Sequence, residues 1–253
     1  MNNILISGAA SGIGAATARL FHGRGWRVGL LDLNPEPLAT LADELGGVWR
    51  RAVDVTDAQA LVDAVGEFGQ VSGGTLRLLF NCAGILRFGR FEDISLAEHN
   101  RIIEINVQGV MNCCHAALPL LKGTPGAQVL NMGSASGLYG VPQMASYSAS
   151  KFAVRGLTEA LELEWREHGI RVADLMPPFV RTPMVASQTV EPPVLRRLGV
   201  TLTAEDIAEA AWRQAQSRAV HRPIGALFRA MYWSGQLLPP AINRWVMAWL
   251  SRA

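Results

Sequence analysis

The sequence predicts an α/β protein built on a doubly wound parallel sheet of about seven strands with helices on both faces. Three observations carry this. A short apolar run at the start meets a glycine-rich turn and then a helix-forming stretch. Strand-like and helix-like segments then alternate, which supplies the crossovers that parallel strands need. No repeat, low-complexity tract or linker breaks the alternation, so residues 1–253 read as one domain, with 226–253 as an apolar, arginine-flanked extension of it.

The first strand is Asn3 to Ser7, followed by Gly8-Ala9-Ala10-Ser11-Gly12-Ile13-Gly14 and a helix over Ala15 to Arg24. Strand, glycine turn and helix form the setting of a dinucleotide site, where helix N–H groups meet a pyrophosphate. Gly8, Ser11, Gly12, Ile13 and Gly14 are therefore candidate cofactor contacts; a turn that merely packs tightly is the plainer alternative. Trp26 to Leu31 is a second strand, closed by Asp32 and Leu33. A carboxylate here can accept hydrogen bonds from both adenosine ribose hydroxyls and would repel a 2′-phosphate, which favours NAD over NADP. The alternative for Asp32 is a polar cap on the helix Pro35 to Leu45.

Gly47 to Val53 is a third strand, ending at Asp54-Val55, where Asp54 could hold an adenine amino group; Asp57 starts a helix. Leu76 to Phe80, the fourth strand, runs into Asn81-Cys82-Ala83-Gly84, whose small residues would let a ribose lie close. Ala97 to Leu121 reads as one long helix with Asn106 in its apolar middle, and a buried asparagine needs partners. Gln128 to Met132 leads to the hydroxyl-rich loop Gly133-Ser134-Ala135-Ser136-Gly137, beyond a strand C-terminus, where open α/β sheets bind ligands.

Tyr147 and Lys151 share one face of a helix running to His168. A phenol with its ordinary pKa of about 10 is a poor base, and an adjacent ammonium favours the phenolate. Only two lysines, Lys122 and Lys151, stand against twenty-one arginines, so a lysine here suggests that its proton matters. A sixth strand, Ile170 to Leu175, ends in Met176-Pro177-Pro178-Phe179-Val180-Arg181-Thr182. Ala186 to Thr201 reads as a mobile lid or a plain surface loop. Thr203 to Asp206 has capping character and opens a helix to about Ser217, and His221 to Gly225 offers a short last strand.

Together these motifs resemble the short-chain dehydrogenase/reductase family of the compact, Rossmann-type kind, over roughly residues 3 to 217. The resemblance implies a catalytic tetrad. Tyr147 would be the acid/base, and Lys151 would depress its pKa and bond the nicotinamide ribose. Ser134 would hold the substrate oxygen, and Asn106 would keep a water in a relay to Lys151. Asp54, Val55, Asn81, Ala83, Gly84, Pro177, Val180 and Thr182 would line the cofactor. The implied reaction moves a hydride between NAD(H) and a secondary alcohol or ketone, here a hydrophobic one. A non-catalytic NAD-binding module and a membrane-surface dehydrogenase of lipid-like substrates are the alternatives. The family's dimers and tetramers form through the two long helices, so a homodimer or homotetramer is expected. This chain departs from the pattern at Ser7 (usually Thr), at Cys82 (usually Asn) and at Pro178 (usually Gly), the last leaving the loop geometry open.

Composition bounds the rest. A net charge of +2 does not call for nucleic acid. The three cysteines, Cys82, Cys113 and Cys114, have no metal-like spacing, so no metal site is expected, and a reducing cytoplasm fits. No basic, apolar leader precedes the first strand, and no apolar run reaches eighteen residues. No acidic residue follows Glu209, whereas six arginines do. Trp233, Trp245 and Trp249, three of seven tryptophans, lie in the same tail. Packing on the body or across a subunit contact, covering an apolar pocket, and lying on a membrane surface are its three readings.

Overall fold

Strands that carry apolar side chains on both faces need helices on both sides, and β1 (Asn3–Ser7) is buried along its whole length. The computed structural model describes residues 2–237 and 240–251. Its central sheet joins β1 with β2 (Arg27–Asp32), β3 (Trp49–Ala52), β4 (Leu78–Asn81), β5 (Gln128–Met132), β6 (Arg171–Met176) and β9 (His221–Pro223). All seven are parallel, in the order β3-β2-β1-β4-β5-β6-β9. The order reverses between β1 and β4, which opens a crevice beyond their C-terminal ends.

Ile4, Ile6, Leu30, Phe80 and Leu175 point to one layer, formed by α1 (Gly12–Gly23), α2 (Pro35–Glu44) and α9 (Ala204–Ala215). Leu5, Leu31, Leu79, Val129 and Val172 point to the other, formed by α3 (Ala58–Ser72), α5 (Gly109–Lys122) and α6 (Ala145–Glu164). The alternation within β1 is the pleat itself. The first layer is sealed by Phe21, Trp26 and Trp212, with edge-on ring centroids 5.0 to 5.9 Å apart.

Some helix starts follow local chemistry. Asp57 accepts from Ala60 N at 3.0 Å, and Thr203 and Asp206 form a reciprocal capping box on α9. Two segments differ from the sequence reading. The long helix is α4 (Leu96–Ile103) running into α5 through a π turn at Glu104–Gln108, with Asn106 at its centre. Residues 186–201 are not a bare loop. β7 (Val180–Arg181) pairs with β8 (Leu202–Thr203), enclosing α7 (Pro183–Ala186) and α8 (Pro193–Leu198). Gln188 pins this excursion: its Nε2 donates to Leu86 O and Met184 O, and its Oε1 accepts from Phe88 N. Beyond β9, α10 (Ala226–Leu237) and α11 (Pro240–Leu250) complete the fold.

The short edge strand β9 is held by a buried ionic clamp. His221 Nδ1 lies 3.0 Å from both carboxylate oxygens of Asp174 on β6, and its Nε2 lies 3.0 Å from Glu159 on α6. Arg155 Nε donates to the same Glu159 oxygen at 2.9 Å. Two carboxylates facing both ring nitrogens favour the imidazolium, although burial raises the Asp174 carboxyl above its ordinary range against the lowering by His221. Burial works against that charge, but the bond to Asp174 and its negative charge outweigh it and raise His221 above its ordinary 6.5. A raised folded-state pKa gives stability present below 6.5 and lost as pH rises through the folded value. Thermal melts should therefore show the protein losing stability above that pH, and H221N should flatten the loss; an H221N profile parallel to wild type would contradict the clamp.

Candidate active site

The crevice is built first by what glycine leaves out. Gly8 has φ +69°, and a Cβ there would sit 2.7 Å from Ala83 Cα; a Cβ on Gly14 would sit 2.0 Å from Gly8 O. The turn after β1 thus packs backbone to backbone against the turn after β4. Ser7 locks the same contact, its Oγ accepting from Cys82 N and Ala83 N at 3.2 and 3.3 Å. The hydroxyl is what this position needs, so serine serves in place of threonine. α1 begins at the crevice with no acidic residue in its first turn and with the side chain of Ser11, at the N-cap, making no bond to the helix. That end offers N–H groups and partial positive charge to an anion. A Cβ on Gly12 would be 3.6 Å from Thr182, so the segment after β7 closes over the turn.

One continuous cleft runs from there in both directions. Gly8, Ser11, Gly12, Ile13, Gly14, Asp32, Leu33, Asp54, Val55, Ala83, Gly84, Ser134, Tyr147, Lys151, Pro177, Val180 and Thr182 all line it. At one end Asp32 is fixed by Ala10 N on Oδ2 and Asn34 N on Oδ1, both at 2.9 Å. Asp54 accepts from Thr56 N, Thr56 Oγ1 and Arg101 Nη2. Burial works to raise the Asp54 carboxyl, but these bonds and the Arg101 charge hold it below the usual range. Arg101 was not singled out from the sequence, because only the fold brings α4 to the end of β3.

At the centre, Ser134 Oγ lies 2.8 Å from Ser136 Oγ, accepts from Ser136 N and hydrogen-bonds Tyr147. Lys151 Nζ donates to Met132 O at 2.8 Å and stands 5.4 Å from the Tyr147 ring centroid. The expected depression of Tyr147 by Lys151 is not what the electrostatics give. Burial pushes the phenol up to about 12, against the Ser134 bond, and pushes Lys151 down to about 8. Desolvation disfavours both charged forms. The thiol of Cys82, which also lines the cleft, is pushed up to about 12 by burial and is no thiolate near neutrality.

Two expected residues lie behind the wall instead of on it. Asn81 Nδ2 donates to Asn131 Oδ1 at 2.9 Å and to Cys114 Sγ, and Asn131 passes the chain to Thr158. Asn106 is fully buried; its Oδ1 accepts from Ile85 N, and its Nδ2 donates to Ile85 O and Ser150 Oγ. It fixes the turn at Gly84, where a Cβ would lie 3.1 Å from Asn106 Oδ1 and 4.0 Å from Lys151 Nζ. Both donors of its amide are taken, so any water relay through this side chain has only the Oδ1 lone pair to use.

The far end is apolar: Tyr139, Val141, Met144, Phe179, Met184, Val185, Val194 and Leu198. Pro177 and Pro178 reach the cleft with trans peptide bonds, and Pro177 O accepts from Ala135 N at 2.9 Å, so this loop braces the Ser134 turn.

The sequence profile described as short chain dehydrogenase matches residues 2–192. The chain belongs to the short-chain dehydrogenase family. Among its relatives, an oxidoreductase named UcpA from Salmonella typhimurium is 38% identical over 188 residues, covering 72% of this chain and 71% of that protein. A cyclohexanol dehydrogenase from Acinetobacter is 32% identical over 211 residues, covering 81% and 84%. A solved 3-oxoacyl-[acyl-carrier protein] reductase from Brucella melitensis has a TM-score of 0.76 at 28% identity, covering 88% of this chain and 89% of that one. This short-chain dehydrogenase is therefore an oxidoreductase of the alcohol/ketone type, and the profile stops before α8, leaving residues 193–253 outside it.

With only two lysines, Lys151 can be read directly. Reductive methylation followed by mass spectrometry should label it with a midpoint near pH 8 instead of its ordinary 10.5. A midpoint at the ordinary value would contradict the burial assigned to it.

Proposed function

We propose that this enzyme exchanges a hydride between NAD(H) and the carbon of a hydrophobic secondary alcohol or ketone. The observation that carries the proposal is the convergence of Ser134, Tyr147 and Lys151 in the same cleft as the glycine turn. The cradle fits a dinucleotide: two glycines admit no side chain, a helix N-terminus faces in, and a carboxylate stands at the end of β2. Bound there, NAD(H) supplies the hydride acceptor or donor.

The chain's own residues handle the proton. Ser134 Oγ orients the substrate oxygen. The Tyr147 phenol, held neutral by burial, donates its proton to that oxygen in ketone reduction and takes it back in alcohol oxidation. In the oxidising direction the phenol must first ionise, and the Lys151 ammonium beside it lowers that cost. Asp32 supports NAD: its Oδ2 accepts only from Ala10 N and keeps a lone pair for a ribose hydroxyl, its Oδ1 is taken by Asn34 N and Nδ2, and Leu33 and Asn34 beside it bring no cation to a 2′-phosphate. The apolar far end of the cleft supports a hydrophobic substrate. Exposed Met111, Phe152 and Leu163 on α5 and α6 support association of copies through these helices.

The test is an alcohol and ketone panel, followed at 340 nm with each cofactor. Turnover with NAD(H) should exceed that with NADP(H), and Y147F should lose at least about 100-fold, the typical share of a positioned acid/base. Turnover within a few-fold of wild type in Y147F would remove the tyrosine from its role.

A further inference from the structure

The tail is where this chain leaves its family, and it presents an unusual face. The tryptophans of the body, Trp26, Trp49, Trp165 and Trp212, pack into the core layers. Those of the tail do not: Trp233, Trp245 and Trp249 are 65%, 66% and 53% exposed. α11 turns Met247 and Leu250 inward and leaves Ile242, Trp245 and Trp249, spaced i, i+3, i+7, along one outward stripe. α10 likewise buries Phe228 and Tyr232 and exposes Leu227 and Trp233. Monomeric soluble proteins rarely leave large aromatic side chains grouped in this way.

The charge around these rings has one sign. Arg229 and Arg244 on the two helices are exposed, as are Arg196 and Arg197 on α8, which packs against α11. The Arg197 guanidinium lies 5.3 Å from the Trp249 ring centroid and donates to Trp249 O. No acidic residue occurs in the sequence after Glu209. A second copy of this face would set arginine against arginine, which penalises self-association. An anionic lipid surface offers the complementary charge, and tryptophan rings sit well at the level of the head groups. Among the described residues no helix is long and apolar enough to cross a bilayer, so the face can only lie on one.

We propose that the outward face of α10 and α11 docks on an anionic phospholipid bilayer. The inward face of α11 belongs to the same apolar cluster as Tyr147, Val194 and Leu198 at the far end of the cleft. Docking therefore places that end beside the bilayer, and, resting on the proposed function, the substrate is one that partitions into lipid. The docking itself does not depend on the reaction.

The experiment uses the full chain and vesicles of phosphatidylcholine with or without phosphatidylglycerol, at low and high salt. Wild type should co-sediment with phosphatidylglycerol vesicles at low salt, release as salt rises, and shift its tryptophan emission to the blue on binding. R229Q and R244Q should each weaken binding about five-fold, the equivalent of ~1 kcal/mol per near-surface cation. W245S should reduce the blue shift while NADH binding stays unchanged. Absence of wild-type binding to anionic vesicles at low salt overturns the proposal. So does a wild-type dimer that W245S dissociates without any vesicle binding, because the face would then join two copies. Vesicle binding by a protein that oxidises no alcohol would sink the proposed reaction and leave the docking standing.

Discussion

The site depends on one steric constraint: the backbone after β1 and the backbone after β4 touch with no side chain between them. Gly8 makes that approach possible, Gly14 lets the start of α1 lie on the Gly8 carbonyl, and the Ser7 hydroxyl fixes the approach by accepting from two consecutive N–H groups of the facing turn. Because the strand order reverses at this pair, the contact forms the floor of the crevice. A methyl group at Gly8 would collide with Ala83 and push apart the turns after β1 and β4.

From that floor the chemistry is delivered by a single helix. Tyr147, Lys151, Arg155 and Glu159 recur every four residues on α6 and so fall on one face. The first two enter the cleft, and the last two join the clamp that holds β6 and β9 through His221. The same rigid rod thus aims the proposed proton-transfer groups and ties down the sheet edge from which the tail departs. Burial shifts both groups: the phenol is kept neutral, and Lys151 is lowered to about 8, which leaves it mostly ammonium near pH 7. In this architecture the lysine acts less as a direct partner of the phenol, since its nearest bond is to the Met132 carbonyl.

Legibility in the sequence followed the range of the interactions. The glycine turn, the Asp57 cap, the Thr203/Asp206 box and the strand alternation are local, and local spacing shows them. The π turn at Asn106 adds one residue to a helical pattern, which a 3.6-residue period does not resolve. The bonds of Asn81 and Asn106 are not legible in the sequence, because an amide's partners, here Asn131, Ile85 and Ser150, come from distant elements. The proline-rich stretch after Thr182 looked like loop, yet prolines at the first turns of α7 and α8 are compatible with helix, and Gln188 anchors the segment. The exposed tail tryptophans were visible as composition, but only the helix faces show that they point outward.

The proposed hydride exchange requires Lys151 and Tyr147 to stand beside a dinucleotide bound at the floor formed by the glycine turn. Amine labelling of the two lysines in the presence and absence of saturating NADH tests it without knowledge of the substrate. NADH should protect Lys151 and leave Lys122 labelled as before. Equal labelling of Lys151 with and without NADH, in a protein shown to bind the cofactor, would contradict it.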